Sequence, residues 1–157
     1  MNFVLDASVA LLWLVPDTDL LGVEYAVAVL DAIKESKTIV PSLFSLEIAN
    51  VVAKVESKGV VTEADSQRFI FLLSQLNIIT DMTTSAHALG DTLNLARRYG
   101  LSAYDAAYLE IALRLGLSLA TLDVKLGKAA VTAGVPIFGR PPVAMPPAAW
   151  QGPVLEI

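Results

Sequence analysis

Two aspartates directly follow apolar segments that have the composition of buried β-strands. Asp6 comes after Phe-Val-Leu, and Asp123 comes after Ser-Leu-Ala-Thr-Leu. Ligands of an open parallel sheet bind beyond the carboxyl ends of its strands, so both carboxylates stand where chemistry is expected. An aspartate between a strand and a helix is also a good N-cap, which is the more frequent role for either residue taken singly. Position alone therefore leaves a structural and a chemical role open.

A third aspartate, Asp105, lies on a helix that we predict to begin at Ser102. On this helix Glu110 and Arg114 lie ~40° apart, and we interpret them as its solvent-facing side. Asp105 points about 160° from their midpoint, toward apolar neighbours, where an unpaired charge costs several kcal/mol. Such a carboxylate needs a cation, a network of donors or a water-filled cleft. The alternative is that Asp105 takes the third position of a Ser102 capping motif, where the helix dipole favours an acid.

Glu47 lies on another predicted helix, with Asn50 about 60° and Lys54 about 20° away around the helix axis. The three residues could form an ordinary solvated stripe on the helix. Apolar residues flank this stripe, however, so Glu47 and Asn50 could equally line a groove with an apolar rim. Most Lys and Arg residues, Lys125 among them, are interpreted as solvating the surface. Lys54 is the best candidate for contact with a nucleic-acid backbone, because it shares a helical face with Glu47.

Four carboxylates in one cleft would repel each other by a few kcal/mol per close pair, at an effective dielectric of ~20 and separations of ~4 Å. Bound cations remove this repulsion, and hard oxygen ligands select Mg²⁺ or Mn²⁺. The matching chemistry is hydrolysis of a phosphodiester, with a metal that activates water and stabilises the leaving oxygen. Ser8 and Thr121 lie two residues from an acid and are candidates for supporting residues. The more frequent use of such hydroxyls is to cap a helix or satisfy a strand end.

The chain has 157 residues, of which 55% are hydrophobic and none is cysteine. This is the size of one domain with its own core, and the lack of cysteine excludes a thiolate metal site and a cysteine nucleophile. A formal net charge of -5 argues against general coating of nucleic acid, but not against a nuclease whose acids are offset by cations. The N-terminus does not resemble a signal peptide, and polar residues interrupt every apolar run before the ~18 residues of a membrane span. We expect a soluble, cytoplasmic protein without a membrane partner.

Short β-rich apolar runs alternate with longer segments of helical period. This alternation predicts an α/β domain with a mainly parallel sheet covered by helices on both faces. Trp13, Tyr104 and Tyr108 could stack on bases, but their settings on predicted helices favour core packing or a dimer face. The predicted strands are 3–5, 38–41, 77–80, 117–121 and 135–138, and the predicted helices are 6–15, 22–36, 42–58, one from 62, 85–99, 102–116 and 123–132.

The composition changes at Gly139, since five of the eight prolines fall between Pro141 and Pro153. We therefore divide the chain into a folded domain, 1–138, and a proline-rich C-terminal tail, 139–157. Two interpretations of the tail are equally consistent with its composition. It is either an extended segment that lies across the domain or a partner, or a mobile terminus.

Four blocks of the sequence carry a resemblance to a known family. In order along the chain they read Phe-Val-Leu-Asp6-Ala-Ser-Val-Ala, Val-Pro-Ser-Leu-Phe-Ser-Leu-Glu47-Ile-Ala-Asn50, Leu-Ser-Ala-Tyr104-Asp105-Ala-Ala-Tyr-Leu and Leu-Ala-Thr121-Leu-Asp123-Val-Lys-Leu. Their order, spacing and context resemble those of PIN-domain ribonucleases, specifically VapC-type toxins of toxin–antitoxin systems. The resemblance runs from residue 1 to about residue 138.

This resemblance implies a PIN-like three-layer α/β/α sandwich around a four- or five-stranded parallel sheet. It implies an endoribonuclease in which Asp6, Glu47, Asp105 and Asp123 hold Mg²⁺ or Mn²⁺ and position the attacking water. Asn50 and Thr121 resemble supporting polar residues of that pocket. The family also implies a homodimer, an RNA substrate and a cognate antitoxin that occupies the active-site groove.

Two other classes of protein remain as alternatives. A phospho-accepting signalling receiver is also a parallel α/β domain, and Asp81 would supply its strand-end acid, but a second acid beside Asp6 is missing. A catalytically silent PIN-fold binding module is opposed only by the presence of all four acids.

Overall fold

The structure, a computed structural model, describes residues 1–15 and 19–139. The predicted proline-rich tail, 139–157, lies outside the described residues except for its first residue. None of the helices in the described part of the chain is both long and apolar enough to cross a membrane.

A sheet of four parallel strands forms the centre of the molecule, in the order β3-β2-β1-β4. The strands are β1 (Phe3–Leu5), β2 (Thr38–Pro41), β3 (Ile78–Asp81) and β4 (Ser118–Ala120). The helices are α1 (Ala7–Ala10), continued by a 3-10 turn (Leu11–Trp13), α2 (Leu20–Ile33), α3 (Phe44–Ser57), α4 (Glu63–Gln75), α5 (Thr84–His87), a π-type segment (Ala88–Thr92), α6 (Leu93–Tyr99), α7 (Ala103–Leu115) and α8 (Val124–Thr132).

β1 lies at the centre of the core. Its residues Phe3, Val4 and Leu5 are all fully buried. Because successive side chains of a strand point to opposite faces, this burial means that helices cover both faces of the sheet. α7 packs along β1, β2 and β4. The predicted three-layer α/β/α sandwich is confirmed, with four strands in the sheet.

Local capping motifs fix several helix ends where the sequence indicated them. Thr62 and Asp65 form a capping box, in which each side chain accepts from the backbone N–H of the other, at 3.1 and 2.9 Å. Gly100 and Gly116 end α6 and α7 with φ of 64° and 65°, a left-handed conformation that glycine adopts without strain.

The single helix predicted for 85–99 is divided in the structure. α5 stops at His87, and Gly90 has a non-helical backbone with φ -109° and ψ -106° before α6 begins. Glycine has low helix propensity because it loses the most backbone entropy on folding. The periodicity of the apolar residues does not register such a kink.

The predicted fifth strand, 135–138, is reduced to one parallel bridge between Ile137 and Leu119. The segment contains a proline, which has no N–H to continue a ladder. At this bridge the N–H of Leu119 donates to the carbonyl of Pro136, and the N–H of Phe138 donates to the carbonyl of Leu119, both at 2.9 Å. Phe138 also stacks on Phe3, with ring centroids 3.9 Å apart. One short pairing with β4 and side-chain packing therefore hold this segment.

The prediction that Glu110 and Arg114 mark the solvent-facing side of α7 is wrong. Glu110 is only 4% exposed. Arg114 donates from Nε to Glu110 Oε2 and from Nη2 to Asp81 Oδ2, both at 2.8 Å. One guanidinium with several donors satisfies both carboxylates, which permits an acid to be buried. The ion pairs join α7 to the carboxyl end of β3.

Candidate active site

The chain order of the strands creates a crevice between β1 and β4. β1, β2 and β3 follow one another toward one edge, whereas β4 pairs with the other side of β1. Ligands of parallel α/β sheets bind at such a switch point, beyond the carboxyl ends of the strands. Asp6 follows β1 and its N–H donates to the carbonyl of Ala120 at 2.9 Å, while Asp123 follows β4. Both strand-end aspartates therefore lie at this crevice.

Two hydroxyl groups hold the side chain of Asp6. Ser8 Oγ and Thr121 Oγ1 donate to Asp6 Oδ2 at 2.6 and 2.8 Å. Each hydroxyl also accepts a backbone N–H, Ser8 from Leu122 and Thr121 from Asp123, at 3.0 Å in both cases. The accepted bonds leave the hydroxyl protons directed at Asp6. Both hydroxyl residues that were predicted to support the acids contact Asp6 directly.

Asp105 and Asp123 have capping roles as well as a place among the acids. Asp123 Oδ1 accepts from the N–H of Leu126 at 2.8 Å and caps α8. Ser102 caps α7 by accepting from the N–H of Asp105 at 3.1 Å. Burial raises the pKa of Asp105, and the charge of Asp123 raises it further. The capping alternatives for Asp105 and Asp123 are therefore realised and do not exclude a chemical role, whereas the side chain of Asp6 makes no cap bond.

Glu47 does not belong to a solvated stripe. It lies in the first turn of α3 and is 7% exposed. Tyr108, fully buried on α7, donates from its hydroxyl to Glu47 Oε1 at 2.5 Å. Sequence reasoning assigned Tyr108 to core packing or a dimer face. The available signal was its position three residues after Asp105, ~60° around the same helix.

Burial and mutual repulsion raise the pKa of Asp6, Glu47 and Asp105. Desolvation of the buried carboxylates is the largest cause. The pKa of Asp6 is raised to about 8, that of Glu47 to about 7 and that of Asp105 to about 6. The charges of Asp105 and Glu47 act on Asp6, and that of Asp105 acts on Glu47. Together with the effect of Asp123 on Asp105, these interactions connect all four carboxylates. They form one electrostatic site built from four segments of the chain.

Asn50 and Lys54, by contrast, are exposed and make no side-chain hydrogen bond or ion pair within the described ranges. Their predicted supporting and RNA-binding roles stay predictions. Lys125 is the lysine that interacts electrostatically with the acids. Its positive charge favours the ionised form of Asp105. Its ammonium group lies beside Gly100. The sequence signal for Lys125 was its position two residues after Asp123.

One carboxylate oxygen of Asp6 and one of Glu47 remain open. Within the described residues no donor contacts Asp6 Oδ1 or Glu47 Oε2, whereas the other oxygen of each is held by hydroxyl groups. In the same part of the chain, Thr38 Oγ1 is the single fully buried side-chain polar atom without a partner. The two open oxygens are therefore reached by solvent and are available to a ligand.

The donor set fits a hydrated divalent cation. Carboxylate oxygens suit Mg²⁺ and Mn²⁺, and a cation offsets the mutual repulsion of these acids. No group of three or more acidic or histidine side chains in residues 1–15 and 19–139 is arranged to hold a metal ion. Mg²⁺ commonly binds through one or two carboxylates and keeps several waters. The open oxygens of Asp6 and Glu47 suit that mode better than a closed cage of protein ligands.

The PIN-domain family model matches residues 3–131. The match spans all four strands and the segments that carry the four acids. The chain therefore belongs to the PIN-domain family, and the resemblance noted in its sequence blocks is confirmed.

Individual relatives agree with this assignment. Ribonuclease VapC3 of Pyrobaculum aerophilum is 30% identical over 128 residues, which cover 82% of this chain and 94% of the relative. The crystal structure of PAE2754 from Pyrobaculum aerophilum superposes with a TM-score of 0.60 at 23% identity, covering 82% of this chain and 79% of that one. The crystal structure of FitAcB from Neisseria gonorrhoeae gives a TM-score of 0.57 at 24% identity, covering 92% and 100%. These two structures share the fold.

Proposed function

We propose that this chain is a divalent-metal-dependent endoribonuclease and the toxin component of a toxin–antitoxin pair. The observation that carries the proposal is the coupling of four carboxylates from four segments at the switch point of the sheet. Similarity to Ribonuclease VapC3 supports RNA as the substrate. The acids assigned to the metal and to catalysis are Asp6, Glu47, Asp105 and Asp123.

Each part of the site has a definite task in this proposal. When bound, Mg²⁺ or Mn²⁺ neutralises the carboxylates and stabilises the negative charge that builds up on the phosphate during hydrolysis. Asp6 and Glu47 each offer one open oxygen, since hydroxyl groups hold the other. Asp105 and Asp123, at the N-terminal ends of α7 and α8, complete the set of acids that would hold the metal and position the attacking water. Lys125 contributes positive charge at the edge of the site, where an RNA backbone approaches.

The partners in this proposal are an RNA substrate, a cognate antitoxin and a second copy of the chain. Asn50 is assigned a supporting role and Lys54 a contact with the RNA backbone, and the cytoplasm is the expected location. Co-expression with the cognate antitoxin, followed by size-exclusion chromatography with light scattering, tests both assemblies. Elution of a monomer that binds no antitoxin contradicts them.

Cleavage of RNA by the purified protein, free of antitoxin, tests the activity. We expect cleavage with Mg²⁺ or Mn²⁺ and none after chelation with EDTA. Asp6→Asn and Asp105→Asn should each lose cleavage while retaining the circular dichroism spectrum of the wild type. Asp31→Asn is the matched control, because Asp31 is exposed and pairs with nearby Lys34. Undiminished cleavage by both site variants overturns the site assignment.

The RNA-cleavage assay also tests the two alternative classes, a silent binding module and a phospho-accepting receiver. A silent binding module would show no metal-dependent cleavage in the wild type. A phospho-accepting receiver is opposed by the surroundings of Asp81, whose carboxylate is engaged by Arg114, Thr83 and Thr84. A phospho-acceptor needs an unencumbered oxygen, so Asp81 is poorly placed for that role.

A further inference from the structure

The hydroxyl group of Tyr108 lies where three elements of the candidate site meet. It is carried by α7 and donates to Glu47 Oε1 on α3 at 2.5 Å. Asp6, Glu47 and the backbone of Ala7 on α1 all interact with this hydroxyl. Tyr108 therefore places a hydrogen-bond donor among the acids.

We propose that Tyr108 is a positioning residue, which holds Glu47 Oε1 so that Oε2 is presented as a ligand for a divalent cation. The inference rests on the proposed metal-dependent nuclease function. A glutamate side chain has several rotatable bonds, and a fixed donor on one oxygen removes much of that freedom before the cation binds. Tyr108 also lies one turn after Asp105 on α7. This helix thus contributes one acid and orients a second.

Ordinary core packing is the competing explanation, since a buried tyrosine hydroxyl needs some acceptor. Tyr25 shows that packing role in the same molecule. It is also buried, and its hydroxyl donates to the backbone carbonyl of Phe138 at 2.7 Å. Tyr25→Phe therefore removes the same chemical group from a buried tyrosine away from the acids. It is the matched control for Tyr108→Phe.

Mn²⁺ binding to the full-length protein gives a readout that does not depend on cleavage. Titration followed by the electron paramagnetic resonance signal of free Mn²⁺ should show affinity lowered about 10- to 100-fold in Tyr108→Phe, the range found for outer-shell partners of metal ligands. Tyr25→Phe should match the wild type. In cleavage assays kcat of Tyr108→Phe should fall, with KM for RNA unchanged, because the hydroxyl acts on a metal ligand and not on the RNA.

A double-mutant cycle with Glu47→Gln tests whether Tyr108 acts through Glu47. If it does, Tyr108→Phe should weaken Mn²⁺ binding little further in the Glu47→Gln background. Independent, additive losses overturn the positioning role. Thermal unfolding of every variant identifies losses that come from a damaged fold.

The possible failures are distinguishable. Wild-type protein that binds Mn²⁺ and cleaves RNA, with Tyr108→Phe equal to Tyr25→Phe in both assays, overturns the inference and leaves the nuclease function intact. Wild-type protein that neither binds Mn²⁺ nor cleaves RNA overturns the proposed function, and the inference with it.

Discussion

The hydroxyl of Thr121 donates a hydrogen bond of 2.8 Å to Asp6 Oδ2, although 115 residues separate the two in the sequence. The same hydroxyl accepts from the N–H of Asp123 at 3.0 Å. These bonds join the carboxyl ends of β1 and β4. They also determine that Asp6 Oδ1, and not Oδ2, is the oxygen left open at the crevice.

Thr121→Val removes this hydroxyl and keeps the shape of the side chain. The N–H of Asp123 and one lone pair of Asp6 then lose a buried partner, which costs about 1–3 kcal/mol of the free energy of unfolding. Urea unfolding monitored by circular dichroism measures the loss. We also expect weaker Mn²⁺ binding, because Asp6 becomes less constrained. A variant as stable as the wild type contradicts the importance of this bond.

Thr38→Val is the matched control and a prediction of its own. Thr38 is fully buried on β2, and its hydroxyl has no partner among the described residues. Removal of an unsatisfied buried hydroxyl should leave the free energy of unfolding unchanged or raise it by about 1 kcal/mol. The same urea titration measures this change. A clear loss of stability would reveal a partner for the hydroxyl in solution.

The metal-free protein should lose stability as the pH rises from 5 to about 8.5. The pKa of Asp6 is raised from 3.8 to about 8 and that of Glu47 from 4.5 to about 7, so the folded state binds these protons more tightly than the unfolded chain. The contribution is fully present below the unfolded pKa values and is lost as the pH rises through the folded ones. At about 1.4 kcal/mol for each pKa unit, the loss reaches several kcal/mol. Asp6→Asn should flatten the dependence of Tm on pH, and an equal slope in both proteins contradicts the assignment.

Mn²⁺ binding should release protons and strengthen with pH. A carboxylate must be ionised to bind a cation, and Asp105, Glu47 and Asp6 have pKa values of about 6, 7 and 8 in the protein. Calorimetric titrations in two buffers of different ionisation enthalpy count the protons released. The added metal should raise Tm more at pH 8 than at pH 5.5. Affinity independent of pH over this range would place the cation elsewhere.

Arg114→Met should destabilise the fold by about 3 kcal/mol, the lower end of the range for breaking a buried ion pair, because Arg114 retains some solvent contact. The change leaves buried Glu110 without a counter-ion and releases Asp81 at the end of β3. Thermal and urea unfolding measure the effect. Lys34→Met, which breaks only the exposed pair with Asp31, is the control and should change stability by less than about 1 kcal/mol.

The predicted elements match the structure where their signals are local. Apolar runs predict the four strands, and capping residues such as Thr62 and Gly100 predict the ends of helices to within a few residues. The kink at Gly90 and the loss of the fifth strand, 135–138, are not encoded in periodicity. They depend on how a segment packs against the rest of the molecule.

The sequence by itself determined the α/β class and the positions of Asp6 and Asp123 at strand ends, because apolar alternation and turn chemistry act between near neighbours. Only the tertiary structure decided that Glu47 is held by Tyr108, 61 residues away. It also decided that Glu110 is buried against Arg114. A helical wheel gives the angles of side chains around one helix axis. Burial and pKa depend instead on which other helix covers each side of that helix. This is determined only when segments distant in the sequence pack together.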